Sequence, residues 1–175
     1  MKKFVASALA LLVMLMIGTA GIMAYNFANA PPVTLIVYMS SENSPAVLKW
    51  GAEQALYGFH PSEDEVQQLN MEAGARYAAL YSDESQARKI LVHFLENGVD
   101  VDAIDKNSGS GVTALHSAVL ERNSFAVKLL LEHGADASKK GEQGRTPLDF
   151  ARLLQEKKAD ADIAEIIISL EEAGG

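Results

Sequence analysis

Thr113 and Thr146 stand thirty-three residues apart, and the words around them match. Val112-Thr113-Ala114-Leu115-His116-Ser117-Ala118 opens one unit, and Gly144-Arg145-Thr146-Pro147-Leu148-Asp149-Phe150-Ala151 opens the next. Between them, Ala126-Val127-Lys128-Leu129-Leu130-Leu131-Glu132-His133-Gly134-Ala135-Asp136 echoes Ile90-Leu91-Val92-His93-Phe94-Leu95-Glu96-Asn97-Gly98-Val99-Asp100. A period of this length constrains the fold strongly. One such unit cannot bury its own apolar face, so units must stack on their neighbours.

The connection Val99-Asp100-Val101-Asp102-Ala103-Ile104-Asp105 forms the link between units. With the period and the threonine-led openings, it makes the chain resemble the ankyrin-repeat family over roughly residues 75–175. The resemblance implies an all-α solenoid of stacked helix pairs with short finger loops, and a binding surface in place of a catalyst. It implies that Thr113 and Thr146 cap the first helices, that Leu115 and Leu148 enter the core, and that His116 ties adjacent fingers together. Asp149 replaces that histidine in the last unit, and Ala114 stands where the last unit has Pro147. Gly98 and Gly134 would supply the left-handed backbone on leaving each second helix. Asn107-Ser108-Gly109-Ser110 lengthens the first finger by about three residues, since Gly98 to Gly134 is 36 and not 33.

Ahead of the repeats lies a different kind of segment. Lys2 and Lys3 are followed by no charged residue until Glu42, and residues 4–24 form a 21-residue apolar run. As a helix it is about 31 Å long, enough to cross a bilayer. It reads as an uncleaved anchor or as a signal peptide cut after Gly18-Thr19-Ala20; Ala28-Asn29-Ala30 also has the cleavage form but is followed by Pro31. Either reading leaves the lysines cytoplasmic and exports the rest, to the periplasm in a bacterial cell. Met39 offers a second start that would give a shorter cytosolic form.

The expected organisation is a signal anchor or signal peptide over residues 1–30, a linker over 31–43, and a repeat domain over 44–175. That domain divides into an N-terminal cap and degenerate repeat (44–98), a repeat (111–143) and a C-terminal capping repeat (144–175). Residues 33–38 are expected as a short strand or a linker. Ser44-Pro45 reads as a helix start with Val47, Leu48, Gly51, Ala52, Ala55, Leu56 and Phe59 at helical spacing. Trp50 and Tyr57 on that helix are expected in the core. Ser62-x-x-Glu65 is a capping box opening a helix through Val66, Leu69, Ala73 and Tyr77. Asp83 or Ser82 caps the next one, and residues 155–160 replace a short turn with a charged stretch.

The chain has no cysteine, which excludes disulfides, thiol catalysis and cysteine zinc sites. Without Lys2 and Lys3, 13 basic residues face 23 acidic ones, a formal charge of −10 that disfavours nucleic acid and anionic lipid as partners. His60, His93, His116 and His133 lack metal-ligand spacing, and Asp100, Asp102 and Asp105 lack the glutamate of a calcium loop. His116-Ser117 are neighbours that point apart on a helix. The reading is therefore no enzyme, no metal and no cofactor.

The family binds through finger tips and the exposed side of each first helix. By position these are Asp102, Ile104, Lys106, Asn107, Lys139, Lys140, Glu142 and Arg145 on the fingers, with Ser117, Glu121, Phe150 and Arg152 on the helices. Phe150 reads either as packing for the last repeat or as a contact anchor. The partner is expected to be another protein. Small bacterial envelope proteins of this family are similar to immunity proteins that block type VI secretion phospholipase effectors, which implies a secreted lipase toxin as the target. The alternative is a periplasmic accessory or scaffold protein supporting an envelope enzyme such as a catalase.

Overall fold

The computed structural model describes residues 2–158 and 160–174, so Ala159 of the charged stretch and the terminal Gly175 lie outside it. The described residues form helices α1 (Lys2–Ala28), α2 (Pro32–Ser40), α3 (Ala46–Phe59), α4 (Glu63–Met71), α5 (Ala75–Ala79), α6 (Glu84–Glu96), α7 (Ala114–Leu120), α8 (Ser124–Glu132), α9 (Pro147–Lys157) and α10 (Ala161–Gly174). Two compact units divide the chain, Met1–His60 and Pro61–Gly175. The division falls later than Ser44, so α3 belongs with the N-terminal unit.

In the first unit, α1 ends at Ala28, ahead of Pro31, which leaves the helix in an extended conformation (φ −56°, ψ 146°). Residues 33–38 are helical, not a strand or a linker. Pro32 pre-sets the first turn, the Thr34 N–H donates to the Pro31 carbonyl at 2.9 Å, and Leu35, Ile36 and Met39 share one buried face. Helical spacing outweighs β-branching here. The start of α3 differs by a residue: Pro45 itself takes the capping position, and its carbonyl accepts from the Leu48 N–H at 2.9 Å.

Ala52, Ala55 and Leu56 of α3 are buried, whereas Val47 and Phe59 are exposed. Trp50, expected in the core, is 63% exposed, and Tyr57 is half-buried. Phe27 joins the three helices. Its ring meets Tyr38 edge-on at 5.6 Å, and its carbonyl accepts a hydrogen bond from His60 Nε2 at 3.2 Å. Gly51 permits that approach, because a Cβ there would lie 2.8 Å from the Phe27 ring. A chain begun at Met39 would lack Phe27, Leu35 and Ile36, which cover α3.

In the second unit, the Ser62 N–H donates to Glu65 Oε2 at 2.7 Å, closing the start of α4. That helix does not run on to Tyr77. It stops at Met71, Ala73 turns left-handed (φ 51°), and the Gly74 N–H returns to the Leu69 carbonyl at 2.8 Å. A buried alanine at positive φ costs about 1–2 kcal/mol, which the closed turn and the packing around it must offset.

Three helix pairs then stack: α5 with α6, α7 with α8, α9 with α10. Helix α7 packs on both α5 and α9, and α8 packs on α10. Buried alanines (Ala75, Ala78, Ala114, Ala118, Ala151) let the first helices approach closely, while Ile90, Leu91, Phe94, Leu129, Leu130, Ile163, Ile166 and Leu170 fill the layer behind. Leu115 is fully buried, but Leu148 is only half-buried. Caps are made by Asp83 to the Gln86 N–H (2.8 Å), Asn123 to the Ala126 N–H (2.9 Å) and Asp160 to the Ile163 N–H (3.0 Å).

Gly134 leaves α8 at φ 86° with open space where a Cβ would sit, and Gly98 leaves α6 at φ 95°, where a Cβ would meet Val66 at 3.8 Å. Gly134→Ala therefore adds backbone strain and no clash. It is expected to lower stability by about 1–2 kcal/mol, read as a lower urea midpoint with unchanged slope.

Candidate protein-binding surface

The first finger is longer than the repeat requires, and one side chain organises the excess. Asp105 is 1% exposed, and its carboxylate gathers the inserted residues. It accepts from the Asn107 N–H (3.1 Å), the Ser108 N–H (2.9 Å) and the Ser108 hydroxyl (2.7 Å). Arg76 Nη1 of α5 closes the set at 2.7 Å. Burial alone would raise the Asp105 pKa, but the Ser108 hydrogen bonds and the Arg76 guanidinium outweigh it and hold the carboxyl below the usual range. The same finger is pinned to the end of α4, where the Lys106 N–H donates to the Met71 carbonyl (2.9 Å) and Asn107 Nδ2 to Glu72 Oε1 (3.1 Å).

His116 joins the first finger to the second. Its Nδ1 accepts from Thr113 (hydroxyl 2.8 Å, N–H 3.3 Å), and its Nε2–H donates to the Arg145 carbonyl at 3.0 Å. That pattern needs the neutral ring, and burial pushes the pKa of this fully buried histidine down. A second tie runs through Asp102, whose carboxylate accepts the Asp136 N–H at 3.0 and 3.2 Å. Desolvation raises its pKa in spite of that bond. A third joins the Glu142 N–H to the Gly111 carbonyl at 2.9 Å.

The residues expected to contact a partner thus separate into two groups. Asp102 and Ser117 serve the scaffold: Asp102 links fingers, and the Ser117 hydroxyl donates to the Thr113 carbonyl at 3.2 Å. Ile104 is half-buried and bridges to Thr113. Phe150 is half-buried, edge-on to His116 at 5.6 Å with the Arg145 guanidinium 6.0 Å from its ring centre. Lys139 is half-buried, and Asn107 is exposed but turned back onto Glu72. Lys106, Glu121, Lys140, Glu142, Arg145 and Arg152 are exposed. Arg152 also reaches Glu171 at 3.0 Å.

A shallow recess on the outer side of α9 adds residues that the motif did not point to. It is lined by Arg145, Asp149, Arg152, Leu153 and Glu156. Asp149, Arg152, Leu153 and Glu156 follow i, i+3, i+4, i+7, so helical spacing was the available signal. Hydrogen bonds from the Thr146 N–H and hydroxyl hold the Asp149 carboxyl below its usual range. Among the described residues, no group of three His, Asp or Glu side chains is placed to hold a metal ion. Neither His116 nor Ser117 faces the other, since each is bonded to a backbone carbonyl.

Two pH effects follow with opposite origins. His116 is neutral when folded and protonates more easily when unfolded, so stability is full above about pH 6.5 and falls as acidification passes that value. His116→Asn is expected to cost about 1–3 kcal/mol at neutral pH and to flatten this fall in denaturant titrations. Asp105 contributes stability that is full above about pH 4 and lost as pH drops through its folded value. Arg76→Gln removes its charge partner, so acid unfolding followed by circular dichroism is expected to begin at higher pH.

These geometries agree with comparisons to known proteins. A potassium channel of Oryza sativa subsp. japonica, AKT3, is 39% identical over 89 residues, covering 51% of this chain and 9% of the channel. Human protein phosphatase 1 regulatory subunit 27 is 46% identical over 61 residues, 35% of this chain and 37% of the subunit. The human mitochondrial disaggregase is 48% identical over 48 residues, 27% and 7% of the two chains. The chain spans less than half of each of these relatives. A family model described as ankyrin repeats in three copies matches residues 76–172. That stretch covers more than half of the sequence and coincides with the three stacked helix pairs, and the chain belongs to the ankyrin-repeat family.

Proposed function

We propose that this chain is a membrane-anchored, exported protein-binding module whose partner is a secreted toxin of the lipase class, which it blocks as an immunity protein. The carrying observation is the division of labour on the fingers. Their backbones are pinned by Asp105, His116 and Asp102, yet Lys106, Lys140, Glu142 and Arg145 project outward. Side chains displayed on a rigid frame lose little entropy on binding, which suits a recognition surface. The name of one relative, a phosphatase regulatory subunit, supports an enzyme as the kind of protein controlled.

The anchor reading draws on the first helix. Leu9–Ala28 is apolar and long enough to span a bilayer, its large side chains from Leu9 to Ile17 and at Ile22 are exposed, and Lys2 and Lys3 precede it. The Phe27 contacts with Tyr38, Gly51 and His60 weigh against a cut after Ala30, which would strip them from α3, whereas a cut after Ala20 would leave them in place. That topology supports periplasmic residence, where a toxin would be met at the inner membrane. Support of an envelope enzyme such as a catalase is the competing outcome.

The test couples protection to binding. A strain lacking the protein is expected to become sensitive to a delivered phospholipase, and the purified chain to inhibit that enzyme. Lys140→Glu combined with Arg145→Glu is expected to weaken the complex about tenfold or more in calorimetry, with thermal unfolding unchanged. Loss of peroxide resistance without toxin sensitivity would favour the enzyme-support reading instead.

A further inference from the structure

Within the N-terminal unit, α1 and α3 leave an open apolar groove between them. Met16, Thr19, Ala20, Met23, Ala24 and Phe27 form its α1 wall. Val47, Trp50, Gly51, Gln54 and Phe59 form most of the facing wall on α3. Val47, Trp50 and Phe59 are 59%, 63% and 66% exposed, a concentration of large apolar surface unlike the single exposed residues of an ordinary surface. On α3, Val47, Trp50, Gly51 and Gln54 follow i, i+3, i+4 and i+7, and Lys49 and Glu53 fall on the other side of the helix.

The α1 wall lies inside the stretch read above as a membrane span, so whatever surrounds that wall also fills the groove. We infer that α3 is an interfacial helix, with its Val47–Trp50–Phe59 side in contact with lipid at the bilayer boundary away from Lys2 and Lys3. This rests on the anchor reading of α1. The depth follows from counting. About 20 helical residues cross a hydrocarbon core of about 30 Å, which places that boundary near Met23. Leu48 shares a recess with Thr19, Ile22, Met23 and Asn26, so the first turn of α3 sits at this level.

Two further features fix the level. Exposed Tyr25 and Tyr38 lie at the same end of α1 as Trp50, and tyrosine and tryptophan favour the boundary, where an apolar ring meets water. Glu42 and Asn43 are exposed just ahead of α3, and a carboxylate excludes the hydrocarbon centre. Lipid contact at the boundary satisfies both, since interfacial helices reach only about 5–10 Å into the acyl region.

Trp50 is the single tryptophan of the chain and reports its own surroundings. The full chain would be reconstituted into phosphatidylcholine–phosphatidylglycerol vesicles, in which lipids brominated high or low on the acyl chain quench nearby tryptophan. The expected result is blue-shifted emission, loss of most of it to bromine placed high on the chain, weaker loss to bromine near the chain end, and protection from aqueous iodide. Emission quenched by iodide and indifferent to bromine would overturn the inference. So would protection from all three quenchers, the mark of a second protein helix or a second copy in the groove. Dominant quenching by the deep bromine would also reject it. Carbonate extraction of the same vesicles tests the anchor separately: a chain that stays with the lipid while Trp50 faces water retains the anchor and loses the interfacial helix.

Discussion

Removing a carboxylate from water costs several kcal/mol unless hydrogen bonds and an opposite charge replace the lost solvation. Asp105 meets that condition with Arg76, Asn107 and Ser108, and the rest of the repeat unit is built around the result. Its backbone N–H donates to the Val112 carbonyl at 2.9 Å, and its carbonyl accepts the Gly111 N–H at 3.1 Å. The finger therefore returns to Thr113 in the right register for α7 to begin. From Thr113 the hydrogen bonds pass to His116 and on to Arg145, so the position of the second finger is set partly by a charge buried in the first. The three additional residues are held by the network instead of hanging as a loose loop.

The repeat portion was legible in the sequence because its signals are local. Threonine caps, left-handed glycines and an apolar period each act within a few residues, and the helix pairs followed from them. The inserted finger was recognised by its length, but not the role of Arg76, which lies 29 positions before Asp105 and carries no motif. Residues 33–38 misled because valine, isoleucine and threonine favour strands only where a sheet is available to pack on. At Ala73 the helical pattern continued while the backbone did not: closing the turn onto Leu69 outweighed propensity. Trp50 was misplaced for a physical reason as well. Its size favours a core, but its position on α3 lines the open groove beside α1.

On the candidate surface, sequence position identified the fingers but could not divide scaffold from display. Asp102 and Lys106 look equivalent as charged finger residues, yet one accepts a backbone N–H from the next finger and the other projects into solvent. What separates them is the position of the neighbouring finger, which supplies the Asp136 N–H to Asp102. The family portion is held by its repeat signals, whereas the N-terminal unit is held by the packing of α1, α2 and α3 around Phe27.

The stack ends in an asymmetry. Arg122, itself in a left-handed conformation (φ 54°), donates to the Leu154 and Lys158 carbonyls at 3.3 and 3.1 Å and pairs with Asp160 at 2.6 Å. A residue of the middle pair thereby closes the turn inside the last one, leaving α9 and α10 dependent on a neighbour for their own connection. In a quasi-one-dimensional array the final unit has a single interface, so its local opening sets where exchange and proteolysis begin. Arg122 couples that opening to the middle pair. Opening the C-terminal pair therefore gives up the Arg122 contacts as well as the packing of α9 on α7 and of α10 on α8.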